Sequence, residues 1–304
     1  MSTGTSLSLD ELIRLRAAAR GLELSARRRA LSVQAGGYLS AYRGRGLEFD
    51  EVRAYQSSDD ARSIDWRVTA RRGQAYTKLF REERERPVLL LVDLQPGMYF
   101  GSREQFKFVL AGRLAALLAW AAARSGDRLG GIVSGAAGHR EIHPAARETG
   151  VLSLLRSLVQ LQPAAPGEQN PGRLDQALKR MVRLALPGSL VVVLSDFREV
   201  GDAADKHFAA LARHTDIIGA FLFDPLEAEP PPPGHYRLGI NGNSLSLDTG
   251  QRRTAKHWQR QFQDHREAVL GLCRRHGAHF MEAATADAPL RSLQRGLARR
   301  GRYA

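Results

Sequence analysis

Two runs of consecutive apolar residues along the chain each end in an aspartate. Residues 88–92 lead into Asp93, and residues 190–194 lead into Ser195 and Asp196. Neither run alternates apolar with polar positions, which is typical of strands buried on both faces of a parallel sheet. Because ligands bind beyond the carboxyl ends of such strands, two carboxylates placed there could hold a hard cation through their oxygens.

Helical and extended segments alternate around these two runs. Helices are predicted for residues 104–124, 148–159, 173–184, 203–213, 253–275 and 289–300, and further strands for 128–134, 141–143, 217–223 and 279–283. The sequence Asn241-Gly242 predicts a hairpin between strands at 236–240 and 244–247. The alternation predicts an α/β fold with a mostly parallel central sheet flanked by helices on both faces.

The first of these helices has an apolar stripe. It consists of Phe106, Leu110, Leu114, Leu117 and Ala121. This spacing is typical of a surface helix that packs one face on a sheet, so we expect the opposite face to be exposed.

The region before residue 87 differs from the rest of the chain in its predicted elements. Ser8 is placed to cap a helix that begins near Leu9. Extended pieces follow at residues 47–55 and 75–80, around a charged middle. We therefore predict an N-terminal helix plus a β-rich region over residues 1–86, and an α/β domain over 87–304 with a hairpin insertion near 235–248.

Composition and cysteine usage are those of an ordinary globular protein. The chain has 304 residues and a lone cysteine, Cys273, which excludes an internal disulfide framework and fits a reducing compartment. The longest apolar stretch, residues 114–123, is half of the ~20 residues that a membrane span requires. The N-terminus lacks a positive region followed by an apolar core. We predict no membrane span and a cytoplasmic location.

The formal net charge is +13, from 45 Lys plus Arg against 32 Asp plus Glu. The arginines are dispersed in short groups, and in residues 81–86 they alternate with glutamates. Such alternation indicates a solvated surface rich in salt bridges, so no specific nucleic-acid partner is predicted. A basic, nucleic-acid-associated protein is the weakest of the alternatives left open, and salt-dependent retention on DNA would reveal it.

A dense signature precedes the first buried strand. It reads Gly44-x-Gly46-x-Glu48-Phe49, Arg53-x-Tyr55, Asp59-Asp60-x-Arg62-x-Ile64-Asp65-Trp66, Ala70-Arg71 and Glu82 followed by Pro87. Together with Asp93 and Ser195-Asp196-Phe197, it resembles the family called domain of unknown function 58. The resemblance implies a von Willebrand factor A-like, Rossmann-like fold. It also implies a MoxR-type AAA+ ATPase and its clients as partners, because members are often encoded beside such ATPases.

The resemblance also implies where a metal site would be. Von Willebrand A domains bind magnesium through Asp-x-Ser-x-Ser after the first strand, a threonine from a later loop and an aspartate from another strand. The matching positions here are Asp93, Gln95, Gly97, Arg173 and Asp196, with Ser195 beside the last. Two carboxylates without the hydroxyls make a poor octahedral cage. We predict a degenerate site without a metal, where the Arg173 guanidinium pairs with Asp93 or Asp196, and magnesium binding is the alternative.

The residues around Trp66 allow two interpretations. They are Arg53, Tyr55, Asp59, Asp60, Arg62, Asp65, Trp66 and Arg71. Tryptophan and arginine dominate many protein interfaces, which favours a docking surface. The interpretation we favour is an internal salt-bridge network that attaches this region to the sheet, with Ile64 and Trp66 as its anchors, in which case Asp65→Asn would lower thermal stability.

Motifs for catalysis are not found. The chain contains no Gly-x-Ser-x-Gly, no P-loop and no His-Glu-x-x-His. Cys273, His276 and His279 have a spacing that suggests metal ligands, but a fourth ligand is not nearby. We predict a non-enzymatic binding or scaffold protein without a cofactor. The alternative is a metal-dependent hydrolase or a magnesium-regulated adaptor that uses Asp93 and Asp196.

Overall fold

A computed structural model describes residues 4–24, 47–56, 64–82, 86–165, 167, 172–198, 201–240 and 243–300. The chain forms two compact units, Ala30–Glu85 and a larger one made of Met1–Arg29 with Arg86–Ala304. Helix α1 (Leu9–Ala18) begins after Ser8, whose hydroxyl accepts a hydrogen bond from the Glu11 amide at 3.3 Å. The sequence grouped α1 with residues 1–86, whereas in the structure its Leu12 lies in a core of the larger unit.

The smaller unit contains an antiparallel strand pair and a short helix. Strand β1 (Leu47–Ala54) pairs with β2 (Tyr76–Glu82), close to the predicted extended pieces. Helix α2 (Trp66–Arg72), which the sequence analysis missed, lies between them. Its boundaries do carry signals, since the Asp65 side chain caps its first turn and Gly73 ends it in the left-handed region with φ of 69°.

The larger unit is built on a six-stranded sheet. Its strands are β3 (Pro87–Leu94), β4 (Arg128–Gly135), β5 (Gly138–Ala145), β6 (Leu190–Ser195), β7 (Asp216–Phe223) and β10 (His279–Ala284). They follow the order β10-β7-β6-β3-β4-β5, and only β5, at one edge, is antiparallel to its neighbour. The predicted α/β fold with a mostly parallel sheet is confirmed.

Helices cover both faces of this sheet, with a hairpin inserted before the longest. They are α3 (Lys107–Arg124), α4 (Arg147–Leu161), α5 (Arg173–Leu184), α6 (Asp202–Ala212), α7 (Pro225–Ala228), α8 (Arg252–Arg275) and α9 (Pro289–Arg300), and the hairpin is β8 (His235–Ile240) with β9 (Asn243–Asp248). Side chains of α1, α3, α4 and α9 form one core, and those of α5, α6 and α8 form the other. Alternate residues of β3 enter the two cores, which explains its uninterrupted apolar sequence.

Helix α3 is a core helix and not the surface helix that its stripe predicted. Fifteen of its 18 residues are buried. The reason is α1, which packs over the face that the prediction left exposed: the Trp120 indole donates to the Leu12 carbonyl oxygen at 3.0 Å, and Gly112 leaves room for Leu7. Although α3 is so apolar, no helix in the described ranges is both long and apolar enough to cross a membrane.

Candidate functional site at the carboxyl edge of the sheet

Two neighbouring strands end together at the centre of the sheet and bring Asp93 beside Ser195. The Ser195 hydroxyl donates to Asp93 Oδ2 at 2.6 Å and accepts from the Phe197 amide at 2.9 Å. Asp93 Oδ1 accepts from the Gln95 amide at 3.0 Å. Asp93 and Ser195 are both buried. Both oxygens of the first carboxylate and the serine hydroxyl are therefore engaged in hydrogen bonds within the protein.

The second aspartate belongs to a group of four charged side chains that we call the ion cluster: Lys107, Asp196, Arg198 and Glu227. Lys107 Nζ lies 2.8 Å from Asp196 Oδ2 and 2.8 Å from Glu227 Oε1. Arg198 Nε lies 3.0 Å from Asp196 Oδ2, and its Nη2 contacts Glu227 Oε1. Lys107 is fully buried and Asp196 is 6% exposed. Two cations and two carboxylates thus share one site at the strand ends.

The four members of the ion cluster come from three separate segments of the chain. Lys107 is the first residue of α3, and Asp196 and Arg198 follow β6. Glu227 lies in the single turn of α7, where its Oε2 accepts from the Asp224 amide at 2.9 Å. This bond is one half of a capping box whose other half runs to the Asp224 side chain. The α7 turn therefore holds the Glu227 carboxylate in place independently of its contacts with Lys107 and Arg198.

The electrostatics of the ion cluster favour the charged form of Asp196. Burial by itself would raise the pKa of this carboxyl, but the nearby charges and hydrogen bonds of Lys107 and Arg198 outweigh it and hold the pKa below its ordinary value. A carboxylate whose pKa is lowered in this way is a weak base at neutral pH. The cluster is accordingly suited to fixed charge rather than to proton transfer.

The backbone between Asp196 and Arg198, two members of the ion cluster, is strained at Phe197. Phe197 is wholly buried and has a φ of 51°, in the left-handed region that non-glycine residues rarely adopt. Such a conformation costs on the order of 1–3 kcal/mol and is common at functional sites. The hydrogen bond from the Phe197 amide to the Ser195 hydroxyl helps to hold this turn.

Two of the remaining predicted site residues, Gln95 and Arg173, contact β4. The Gln95 amide group donates to Ser134 Oγ at 3.2 Å, and Gly97 lies in a 3-10 turn, Pro96–Met98. Arg173 Nη1 donates to the carbonyl oxygen of Gly135 at 2.8 Å, so this guanidinium is at the end of β4. Its pairing with Asp93 or Asp196 stays a prediction.

Lys107 is the functional residue that the sequence analysis missed. It places a positive charge beside Asp196, which the sequence predicted for Arg173. The available signal was a lone lysine at the head of the apolar sequence that forms α3, directly after Phe106. A charge in such a position is rarely buried unless it is paired. Nothing in the local sequence, however, identified Asp196 and Glu227 as its partners.

The donor set does not fit the divalent cation that the resemblance implies. Such an ion needs oxygen ligands directed at one point. Here Asp196 Oδ2 and Glu227 Oε1 are directed at an ammonium group, which would repel a second cation. The Ser195 hydroxyl donates its hydrogen bond to Asp93 Oδ2. Within the described part of the chain, no group of three or more His, Cys, Asp or Glu side chains is arranged to hold a metal ion.

A groove of about 700 Å³ opens beside the ion cluster, between α8 and the ends of β6 and β7. It is lined by Asp196, Arg198, Phe221, Leu222, Glu227, Trp258, Gln261, Phe262 and His265. The Trp258 indole donates to the Leu226 carbonyl oxygen at 2.9 Å, and the His265 ring nitrogen Nε2 lies 2.8 Å from the Asp196 carbonyl oxygen. Concave, largely apolar sites of this size with a few polar groups are typical of ligand binding.

The family signature residues lie mostly in the smaller unit. Asp65 Oδ1 accepts from the amides of Arg67 and Val68 at 3.0 and 3.2 Å, so one role of this aspartate is to cap α2. The Trp66 side chain is 69% exposed. At this exposure Trp66 is not the internal anchor that the salt-bridge interpretation requires.

The other signature residues give less information. Arg53 Nη1 donates to the Ala54 carbonyl oxygen at 3.1 Å, the Tyr55 amide donates to the Ala75 carbonyl oxygen at 2.8 Å, and Arg71 is exposed. Asp59, Asp60 and Arg62 lie outside the described residues. Whether the signature is a docking surface stays a prediction.

The third group singled out from the sequence is not brought together as a metal site. Cys273 is buried against Gly219, where an added Cβ would lie 2.6 Å from the sulfur. His276 Nε2 lies 3.2 Å from Asp205 Oδ1, and the His279 ring nitrogen Nε2 lies 2.9 Å from the Gly296 carbonyl oxygen. The three side chains therefore serve packing and local pairing.

We predict that the Cys273 thiol does not react in the folded protein. Burial raises its pKa from 9.0 to about 12, so the thiolate fraction at pH 8 falls by ~1,000-fold. An aromatic disulfide reagent added at pH 8 should label the thiol only after unfolding in guanidinium chloride. Stoichiometric labelling within minutes of mixing with native protein would contradict the prediction.

These observations define an α/β protein with a mostly parallel six-stranded sheet, whose strand-end site carries a lysine between two carboxylates. Residues 51–268 match the family described as Protein of unknown function DUF58, and the chain belongs to that family. The uncharacterized protein Rv1480 of Mycobacterium tuberculosis is similar, with 29% identity over 225 residues, which are 74% of this chain and 70% of the relative.

Two solved structures are similar to the chain at low identity. The conserved hypothetical protein BatB from Bacteroides thetaiotaomicron is 14% identical and aligns over 71% of this chain and 99% of its own length, with a TM-score of 0.44. The SpRpn10 VWA domain is 10% identical and aligns over 69% of this chain and 94% of its own length, with a TM-score of 0.39.

Proposed function

We propose that this chain is a non-enzymatic protein-binding or scaffold protein that acts with a MoxR-type AAA+ ATPase in the cytoplasm. The observation that carries the proposal is the groove of about 700 Å³ with aromatic walls, open beside a fixed ion cluster at the carboxyl edge of the sheet. Aromatic and arginine side chains at the rim of a concavity are typical of protein recognition. Membership of the family supports the choice of partner.

The chemistry of the site supports binding over hydrolysis. A hydrolase would need a free base, a nucleophile or a bound metal ion. Asp196 is paired with two cations, and its pKa is lowered. Asp93 accepts two hydrogen bonds from its own strand-end loops. A metal-dependent hydrolase or magnesium-regulated adaptor, the alternative, would first have to displace Lys107.

The test uses two matched tryptophan substitutions on α8. Gln261 lines the groove and is exposed, so Gln261→Trp should fill the groove without touching the core. Gln259 is also exposed, is not a lining residue and lies two positions earlier. We expect the purified MoxR-type ATPase of the same genome to bind Gln261→Trp at least about tenfold more weakly than wild type, and Gln259→Trp unchanged.

The binding is to be measured by interferometry with ATP, in magnesium and again after the immobilised chain has been washed with chelator. If the two variants bind the ATPase with equal affinity, the interface lies outside the groove. Failure of the wild type to bind the ATPase would remove the proposed partner.

A further inference from the structure

Lys107 lies between the carboxylates of Asp196 and Glu227 at the strand ends. Its ammonium is fully buried and lies at the same distance, 2.8 Å, from carboxylates of two separate segments, the loop after β6 and the turn α7. A buried ammonium is costly unless opposite charges and hydrogen bonds compensate it. Both compensating carboxylates are themselves largely buried, with side chains 8% and 16% exposed.

We infer that the Lys107 ammonium is a permanent, built-in substitute for a divalent cation at this strand-end site. The inference rests on the same site as the proposed function, but it concerns a property of the chain in the absence of any partner. The distances of 2.8 Å are those of charge-assisted hydrogen bonds, and they exceed the ~2.0–2.1 Å of magnesium–oxygen contacts and the ~2.3–2.6 Å of calcium. The site keeps its positive charge in the presence of a chelator.

The charge balance predicts what removal of the lysine would do. Lys107 and Arg198 together neutralise Asp196 and Glu227. Without the ammonium, the cluster would carry a net charge of −1 and an unfilled space between two fixed carboxylates. Oxygen ligands around such a space suit a hard cation, with water completing its coordination. Lys107→Ser should therefore convert the cluster into a site for a divalent metal ion.

The experiment titrates manganese into the purified chain without any partner. Electron paramagnetic resonance reports bound metal, and thermal unfolding is recorded in chelator and in millimolar manganese. We expect wild type to show no bound manganese at the cluster and the same unfolding temperature in both buffers. Lys107→Ser should bind manganese and unfold about 2–4 °C higher with it than in chelator.

Two control variants separate charge from space. Lys107→Met fills the space with apolar atoms, and Lys107→Ser combined with Glu227→Gln restores the charge balance. Both should show no response to manganese. The inference fails if wild type binds manganese and Asp196→Asn abolishes that binding, or if folded Lys107→Ser shows no response. If Lys107→Ser does not fold, the manganese titration of wild type still tests the inference, because binding that depends on Asp196 would contradict it. Since no ATPase is present, failure here leaves the proposed function standing, and the reverse also holds.

Discussion

Replacing Lys107 with methionine is expected to lower the free energy of unfolding by about 3–5 kcal/mol, the usual cost of breaking a buried ion pair from one side. Methionine preserves most of the side-chain volume, so the loss reports charge rather than a cavity. Asp196 and Glu227 would remain buried with Arg198 as their shared partner. Equilibrium unfolding in guanidinium chloride at pH 7 measures the difference.

Arg295→Met is the matched control for this measurement. Arg295 also pairs with a carboxylate, Asp287, but the two side chains are 57% and 37% exposed. Exposed pairs contribute at most about 1 kcal/mol, because water and salt screen them. If Lys107→Met loses no more unfolding free energy than Arg295→Met, Lys107 in the ion cluster contributes no more to stability than an exposed ion pair.

The central strands could be predicted from the sequence because each of them is a run of consecutive apolar residues. Every residue of β6 is buried, and so is every residue of β3 after its first. An apolar run of this kind can be recognised as a buried strand without knowledge of the rest of the fold. The closeness of Asp93 and Ser195 follows from the same pattern, since parallel neighbours end at the same edge of a sheet.

The ion cluster could not be predicted because its pairs are distant along the chain. Lys107 is separated from Asp196 by 89 positions and from Glu227 by 120. Local patterns report which residues prefer burial, but they do not report which charge will compensate another. The sequence predicted a positive charge at the strand ends and assigned it to Arg173, whereas the structure shows Lys107 paired with Asp196.

The outer face of α3 was misjudged for a related reason. A stripe identifies the side of a helix that packs on a sheet, and the small residues on the other side carry little signal. That side is covered by α1, whose Glu11 pairs with Arg113 across 102 positions at 2.6 Å. The many alanines and Gly112 of α3 permit this close packing, and in isolation they are equally compatible with exposure.

The second large effect is expected at Asp224, a fully buried carboxylate that joins three loops at the edge of the sheet. It accepts from the Ser102 amide at 2.8 Å, from the Ser102 hydroxyl at 2.6 Å, from the Leu226 amide at 2.9 Å and from the Thr285 hydroxyl. Asp224→Ala would leave several buried donors without a partner, at about 1–3 kcal/mol for each. We expect a total loss of about 3 kcal/mol or more in the free energy of unfolding.

The dependence of this effect on pH is a stricter test. Burial by itself would raise the pKa of Asp224, but the hydrogen bonds from Ser102, Thr285 and Leu226 outweigh it and hold the pKa below its ordinary value of 3.8. A carboxyl whose pKa is lowered by folding stabilises the fold fully above its unfolded pKa, and this contribution is lost as pH falls through the folded pKa.

Asp224→Asn isolates this charge while it keeps the shape of the side chain. The difference in unfolding free energy between wild type and Asp224→Asn should be constant above about pH 5 and should narrow below about pH 4. A difference that does not change with pH would contradict a lowered pKa of Asp224 in the folded protein. Because Asp224 also forms the capping box with Glu227, the narrowing should coincide with loosening of the ion cluster, visible as faster amide hydrogen exchange at Leu226.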